Sequence, residues 1–262
     1  DYLLQKDKPF YFHDTHAGRG LYSLDSVEAQ KTGEHLQGVA KLWQRADVPE
    51  GLRPYLTTLE TFNQDSAGVT SVDRLHRYPG SPLLAHRMMR PIDRLCCTEL
   101  HPQEFSALRQ VTGTKRNMRV LREDGYAALK AALPPREKRG VILIDPSYEV
   151  LSDDIAVIAS VREGLERFSQ GTFLVWYPLV SPLRVRDMTY KATKLVNSNL
   201  LQLELHWAKP RDDHRGLYGT GMLVFNPPWQ LDTAMSEALP WLVQQLAPTD
   251  GKWRVEWLRA PV

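Results

Sequence analysis

The run GVILIDPSYE sets Asp145, Pro146 and Tyr148 immediately after an apolar stretch of strand type. An exocyclic amine on a purine is a poor nucleophile because its lone pair is delocalised into the ring. Acceptors that hold both N–H groups localise that pair, and the Asp145 carboxylate and Pro146 carbonyl supply two. Tyr148 is suited to stack on the base, which an enzyme acting on structured nucleic acid must first extract from its neighbours. A transferable methyl group then needs only in-line placement. No covalent intermediate is required, so Cys96 and Cys97 are expected to be core residues; cytosine-C5 chemistry, which needs a nucleophilic cysteine, is disfavoured. A rival run, GMLVFNPPWQ, contains Asn226, Pro227, Pro228 and Trp229. It is expected to be a decoy, since it follows a late strand away from Asp145 and its prolines can simply end that strand.

Other strand-end residues suit a cofactor. FHDTHAGRG puts Asp14 at the end of a strand, with Gly18 and Gly20 in the turn that follows, where glycine permits tight geometry and close ligand approach. Glu99 in TELHP closes another strand, where an acid can accept from the two ribose hydroxyls of an adenosine-containing cofactor or stand solvated. Asp124 is read as ending a third strand, placed to accept from a cofactor adenine amine while Gly125 keeps the approach open; it also fits a helix N-cap. Ser81 precedes Pro82 at a helix start, so capping is its default role and a cofactor contact the sharper one. His16 is a candidate ligand contact. No metal is expected: His13 and Asp14 lie near His16, but no further ligand appears at a recognisable spacing.

Positioning these residues requires a sheet. Short β-rich runs alternate with helical patterns, the form of an α/β fold with a mostly parallel sheet covered on both faces. Strands are expected at residues 10–14, 94–99, 118–122 and 141–145, each ending in or near an acid, then at 172–176, 201–206, 222–225 and 253–257, the last three forming an antiparallel edge. In such a sheet the ligand crevice lies outside the carboxyl ends of the strands, so Asp14, Glu99, Asp124 and Asp145 should converge. About 80 residues separate the first two strands, far more than a crossover needs, and 34–45 and 52–62 look helical. Residues 32–78 are therefore assigned to a helical insertion, with 1–31 and 79–262 forming the main domain.

Composition narrows the partners. The 262 residues carry 33 basic and 31 acidic side chains, net +2, so any nucleic-acid surface must be a local patch. Two adjacent cysteines exclude a disulfide framework and fit a reducing cytoplasmic compartment. No run reaches the roughly 20 apolar residues that span a bilayer, and the longest, 173–180, contains Pro178. The first residues lack signal-peptide features, and a chain that does not open on Met is expected to be a fragment. Basic residues cluster at Arg74, His76 and Arg77, at Lys115, Arg116 and Arg119, and at Arg136, Lys138 and Arg139. The loop KPRDDHRGLYGTG combines Lys209, Arg211, His214 and Arg215 with Tyr218, a set suited to RNA phosphates and base stacking.

In order along the chain, DTHAG, TGEHLQGVAKLW, YPGSPL, TELHP, EDGY, LIDP with YE, VWYP and NPPW resemble the ribosomal RNA large subunit methyltransferase J family over essentially the whole length. The resemblance implies a Rossmann-like class I methyltransferase fold with a small helical insertion, and methyl transfer from S-adenosylmethionine to an adenine N6 in 23S rRNA. It implies cofactor contacts at His16, Ser81, Glu99, Asp124, Gly125 and Asp145, with catalysis centred on Asp145. Protein-free rRNA or an early assembly particle is the expected partner, and a monomer the expected state. Two departures stand out. The family has a further leading segment that helps to close the site, and it has proline where this chain has Ser147, which loosens the backbone that aims the Pro146 carbonyl. A catalytically silent RNA- or cofactor-binding protein and a DNA adenine-N6 methyltransferase are the alternatives. A nicotinamide oxidoreductase is disfavoured by the lack of a full G-x-G-x-x-G.

Overall fold

The computed structural model describes residues 2–67, 73–149, 152–210 and 216–262. Among the described residues ten strands are formed: β1 (Tyr11–Asp14), β2 (Leu21–Ser23), β3 (Arg77–Pro79), β4 (Arg94–Thr98), β5 (Met118–Leu121), β6 (Gly140–Ile144), β7 (Thr172–Leu179), β8 (Leu200–His206), β9 (Gly219–Phe225) and β10 (Lys252–Arg259). Helices α1 (Val27–Thr32), α2 (Glu34–Gln37), α3 (Arg53–Ala67), α4 (Ser81–Met88), α5 (Pro102–Thr112), α6 (Gly125–Ala132), α7 (Asp153–Arg167), α8 (Pro182–Thr193) and α9 (Leu231–Leu246) lie between them. Eight strands make one sheet in the order β10-β8-β9-β7-β6-β1-β4-β5, and β2 pairs with β3 in a separate ribbon. The five strands from β7 to β5 in that order run parallel, whereas β9, β8 and β10 join antiparallel. This order and these directions are those of the Rossmann-like fold that the resemblance implies.

The parallel strands are covered on both faces, which is why their residues read as continuous apolar runs: Leu95, Cys97, Ile142, Ile144 and Phe173 are fully buried. On the face of α7 and α8 these strands pack with Val157, Val161 and Met188; near β4 and β5 they pack with Leu108 of α5. Both cysteines are free and buried, and burial pushes their thiols up, so they are protonated core residues. No helix among the described residues is long and apolar enough to cross a membrane.

Three differences from the sequence reading have physical causes. Strand β7 continues past Trp176 through Pro178, because β6 has already ended opposite Val175 and β7 is paired there only with β9, so the missing N–H costs no ladder bond to β6. Strand β9 begins at Gly219 rather than Met222, and Gly221 within it is required by packing, since a Cβ there would lie 2.1 Å from the Tyr177 ring. The pattern at 34–45 divides at Gly38 into α2 and a 3-10 turn, Val39–Leu42. The ribbon β2–β3 was not anticipated. It has three residue pairs and too short an alternation to read.

Leu24, just before the expected insertion, shares a small core with Leu59 and Leu75 inside it, with Trp43, Tyr55 and Tyr78 around them. Arg90 and Arg139 donate to the carbonyls of Lys6, Lys8 and Leu3, holding the leading residues near the start of the sheet. Arg136 and Arg94 pair with Glu137, and Arg74 and His76 with Asp25. Much of the expected basic surface is thus engaged within the fold.

The turn after β1 is clasped by α6. A Cβ at Gly125 would fall 2.0 Å from the Thr15 carbonyl oxygen. Gly125→Ala must push that turn away, and it is expected to cost about 2 kcal/mol, the usual range for overpacking. Urea denaturation of the variant checks this, and an unchanged midpoint contradicts it.

Candidate active site

Strands β1 and β6 are neighbours at the point where the chain reverses its direction of travel across the sheet, and Asp14 pairs in register with Leu143, two residues before Asp145. Crevices form at the carboxyl ends of such strands. There a cavity of about 670 Å³ opens, and His16, Gly18, Ser81 and Asp145 line it. Glu99 joins from the end of β4: its carboxylate accepts from the Gly18 amide at 2.8 Å and from the His101 amide at 2.7 Å. Of the four acids expected to converge, Asp145 lines the cavity, Asp14 is buried near enough to feel Asp145 and Glu99, and Glu99 joins through the Gly18 amide, whereas Asp124 does not join them.

Asp124 and Gly125 do not line the cavity. Asp124 lies beyond the end of β5 and is the N-cap of α6, accepting from the Ala127 amide at 2.8 Å, and Gly125 is required by the Thr15 backbone rather than by an open approach. The assignment of Ser81 is corrected in the other direction. Gly80 is the N-cap of α4 and no side chain caps that helix, so the Ser81 hydroxyl is not spent on capping. Sequence reasoning missed Tyr22 and Tyr78, paired across β2 and β3, and His35 from the helical segment, all of which line the cavity. The only available signal for the tyrosines was their position beside the glycine turns.

Electrostatically the crevice is acid-rich. Asp14 is fully buried, and neither of its oxygens has a hydrogen-bond partner. The Ser81 hydroxyl and His16 amide lie near enough to favour its charge, but they close no bond on it, and burial pushes the carboxyl up to about 7, with Asp145 and Glu99 adding repulsion. Asp145 is reached by water yet enclosed on most sides by protein, and that enclosure raises it to about 6. Burial lowers His16 to about 4, with the Asp124 and Asp153 charges opposing, so it is neutral at pH 7. It receives or donates a 2.8 Å bond with Thr15 and packs edge-on against Tyr126. His13 is a core residue between Tyr11 and Thr98, also lowered to about 4 by burial. Among the described residues no group of three or more His, Cys, Asp or Glu side chains is placed to hold a metal ion.

Tyr148 differs most from expectation. It adopts a left-handed backbone (φ 54°), a costly conformation for a tyrosine. That turn buries the ring to 7 % exposure and aims its hydroxyl at the Trp176 carbonyl, 2.5 Å away. Arg184, held by two bonds to Asp154, sits 5.5 Å from the ring centroid. Tyr148 therefore anchors the Asp145-Pro146 turn and is not an open platform for a base. The decoy assignment of Asn226 agrees with the geometry for a further reason. Because β9 is antiparallel, Asn226 lies at the opposite end of the sheet from Asp145, where its amide donates to the Ser169 and Gly171 carbonyls.

The loop expected to meet RNA is only partly within the described residues: Arg211, His214 and Arg215 lie outside them. Lys209 is exposed and pairs with Asp250 at 3.2 Å, and Tyr218 is buried to 5 % exposure. The latter is thereby corrected from a stacking residue to a wall residue.

Asp14 makes stability depend on pH. Between about 4 and 7 the native state keeps a proton that the unfolded chain has released, so stability falls as pH rises through that window and levels off above it. The full effect is on the order of 4 kcal/mol. Asp14→Asn should remove most of the slope; urea midpoints from pH 4.5 to 8 measure it, and an unaltered slope contradicts the placement of the proton.

The chain is similar to known proteins over nearly its whole length. The family model for ribosomal RNA large subunit methyltransferase D, RlmJ, matches residues 7–259. The ribosomal RNA large subunit methyltransferases J of Escherichia coli (strain K12) and Haemophilus influenzae (strain ATCC 51907 / DSM 11121 / KW20 / Rd) are 41% and 39% identical, over 98% of this chain and 89% of each relative. A solved Legionella pneumophila protein superposes with a TM-score of 0.88 at 30% identity, covering 99% of this chain and 92% of that one. The chain belongs to the ribosomal RNA large subunit methyltransferase J family.

Proposed function

We propose that the chain transfers a methyl group from S-adenosylmethionine to the exocyclic N6 of an adenine in 23S rRNA, with Asp145 and Pro146 as the catalytic pair. The observation that carries this reading is the cavity at the β1–β6 switch point, with Asp145 on its wall and the unpartnered Asp14 carboxyl beneath it. A cofactor bearing sulfonium and ammonium cations suits a crevice whose carboxyls are held partly protonated for want of a counter-charge and whose His16 is neutral. His16, Gly18, Ser81 and Asp145 would hold it, with Glu99 near a ribose; Asp124 and Gly125 would act indirectly through the α6 start. When bound, the cofactor supplies the electrophilic methyl.

The protein's part is then to prepare the amine. Asp145 accepts one N–H and the Pro146 carbonyl the other, which draws the nitrogen lone pair out of conjugation and points it at the methyl group. The proton that the amine gives up on methylation would pass to Asp145, whose raised pKa suits it to receive that proton and release it to water. Tyr148 fixes the turn through Trp176 rather than stacking. Residues 32–78 act in this reading as a helical subdomain walling the crevice, and the enzyme works as a cytoplasmic monomer on protein-free rRNA or an early assembly particle.

Incubation with radiolabelled S-adenosylmethionine and unmodified 23S rRNA, followed by nucleoside analysis, should place label in N6-methyladenosine. Cofactor and RNA binding without label would favour the silent binder, and label in duplex DNA alone would favour the DNA enzyme. Asp145→Ala should lower kcat by about 10²-fold or more. Because Asp145 must be charged to accept, kcat/KM should fall as pH drops through about 6, a limb that Asp145→Asn removes. Ser147→Pro, which stiffens the turn, should speed single turnover; equal rates for the two chains would show that the serine is without consequence.

A further inference from the structure

A second cavity, about 520 Å³, opens at the antiparallel edge between α8 and β8 and has no part in the chemistry above. Its construction is unusual. A strand covered on both faces ordinarily buries apolar side chains on both. In β8 the α9 face does so, with Leu201 and Leu203, whereas the α8 face presents Gln202, Glu204 and His206 in a row. Glu204, 3 % exposed, accepts from the Tyr177 hydroxyl (3.0 Å) and the Gln202 amide (2.9 Å) through one oxygen, and pairs with His206 (3.0 Å) and Arg254 (3.3 Å) through the other. Burying a carboxylate costs several kcal/mol before its partners repay it. What this network accomplishes is to fix His206 and Arg254 on the cavity wall.

The remaining lining is divided by chemistry. Pro182, Val185 and Leu258 give an apolar slot, while Arg186, Lys209, Lys252 and Arg254 outnumber Glu204 and Asp250 by two charges. Apolar side chains together with an excess of positive charge match a nucleotide, the base against the former and the phosphate against the latter.

Position supports an RNA chain rather than a free nucleotide. Gly219 pairs with both Leu179 and His206, so the cavity opens at the same end of the sheet as Asp145. From β6 to β8 is three strand spacings, about 14 Å at about 4.8 Å each, a distance that an extended single strand covers in a few nucleotides. The start of α8 bridges the gap, with Arg184 over Tyr148 and Val185 and Arg186 in the cavity.

We propose that this cavity is a second RNA subsite, which holds an unpaired nucleotide flanking the target adenine. The proposal rests on the reading of the chain as an RNA-modifying enzyme. Thr189 lines the cavity from α8. Thr189→Trp, which fills it, should weaken binding of an unmodified 23S rRNA fragment about tenfold or more, the loss expected when one stacked base is displaced. The double variant Arg186→Glu, Lys252→Glu should reduce the slope of log affinity against log salt by about 1.4, at about 0.7 per phosphate contact. Unchanged S-adenosylmethionine affinity by calorimetry shows that each variant is folded. RNA affinity and salt slope equal to those of the unmodified protein, with cofactor binding retained, would overturn the subsite. So would adenosine monophosphate binding that Thr189→Trp abolishes while RNA binding stays intact, since the occupant would then be a free nucleotide. An unmodified protein that binds RNA but transfers no methyl group refutes the proposed reaction and leaves the subsite test standing; one that binds no RNA refutes both.

Discussion

A carboxylate folded into the protein with no hydrogen-bond partner is the constraint around which this crevice is arranged. Asp14 sits at the end of a central strand, where both faces of the sheet are covered and water cannot reach it. Leaving such a group unpaired is costly, and the protein meets the cost by holding a proton on it. Neighbouring features follow from the same position. The turn after β1 must stay tight enough for Gly18 to meet Glu99, and α6 must begin against the Thr15 carbonyl, which only glycine allows.

The sheet separates two cavities by strand direction. Parallel strands β1, β4 and β6 deliver their carboxyl ends to one crevice, and the antiparallel turnabout at β9 returns β8 with its end on the same side. That reversal places a polar, positively charged cavity beside an acidic one, with α8 between them. It also carries Asn226 to the far end of the sheet, so a motif attractive in sequence has no access to the crevice.

Much of this was legible before any coordinates, because fully buried strands announce themselves as apolar runs and the acids after them mark the ligand side. All eight sheet strands and the convergence of Asp14 with Asp145 could be read this way. What could not be read depended on contacts between distant segments. The glycines of β9 look like strand breakers until Tyr177 is seen against Gly221. Tyr148 and Tyr218 look like stacking residues until the Trp176 carbonyl and the packing around β8 claim them. Ser81 looks like a cap because capping is decided by one residue of register, and here that residue is Gly80.

The most direct test is the proton balance of cofactor binding. Calorimetric titration of S-adenosylmethionine at pH 6.5, repeated in buffers of different ionisation enthalpy, counts protons released on binding. If a cationic cofactor supplies the counter-charge that the crevice lacks, up to about one proton should leave Asp14 and Asp145 on binding, and Asp14→Asn should release much less. Binding with no proton release in the unmodified protein would mean that the carboxyls at the β1–β6 switch point do not answer to the cofactor's charge, and the site would have to be sought elsewhere.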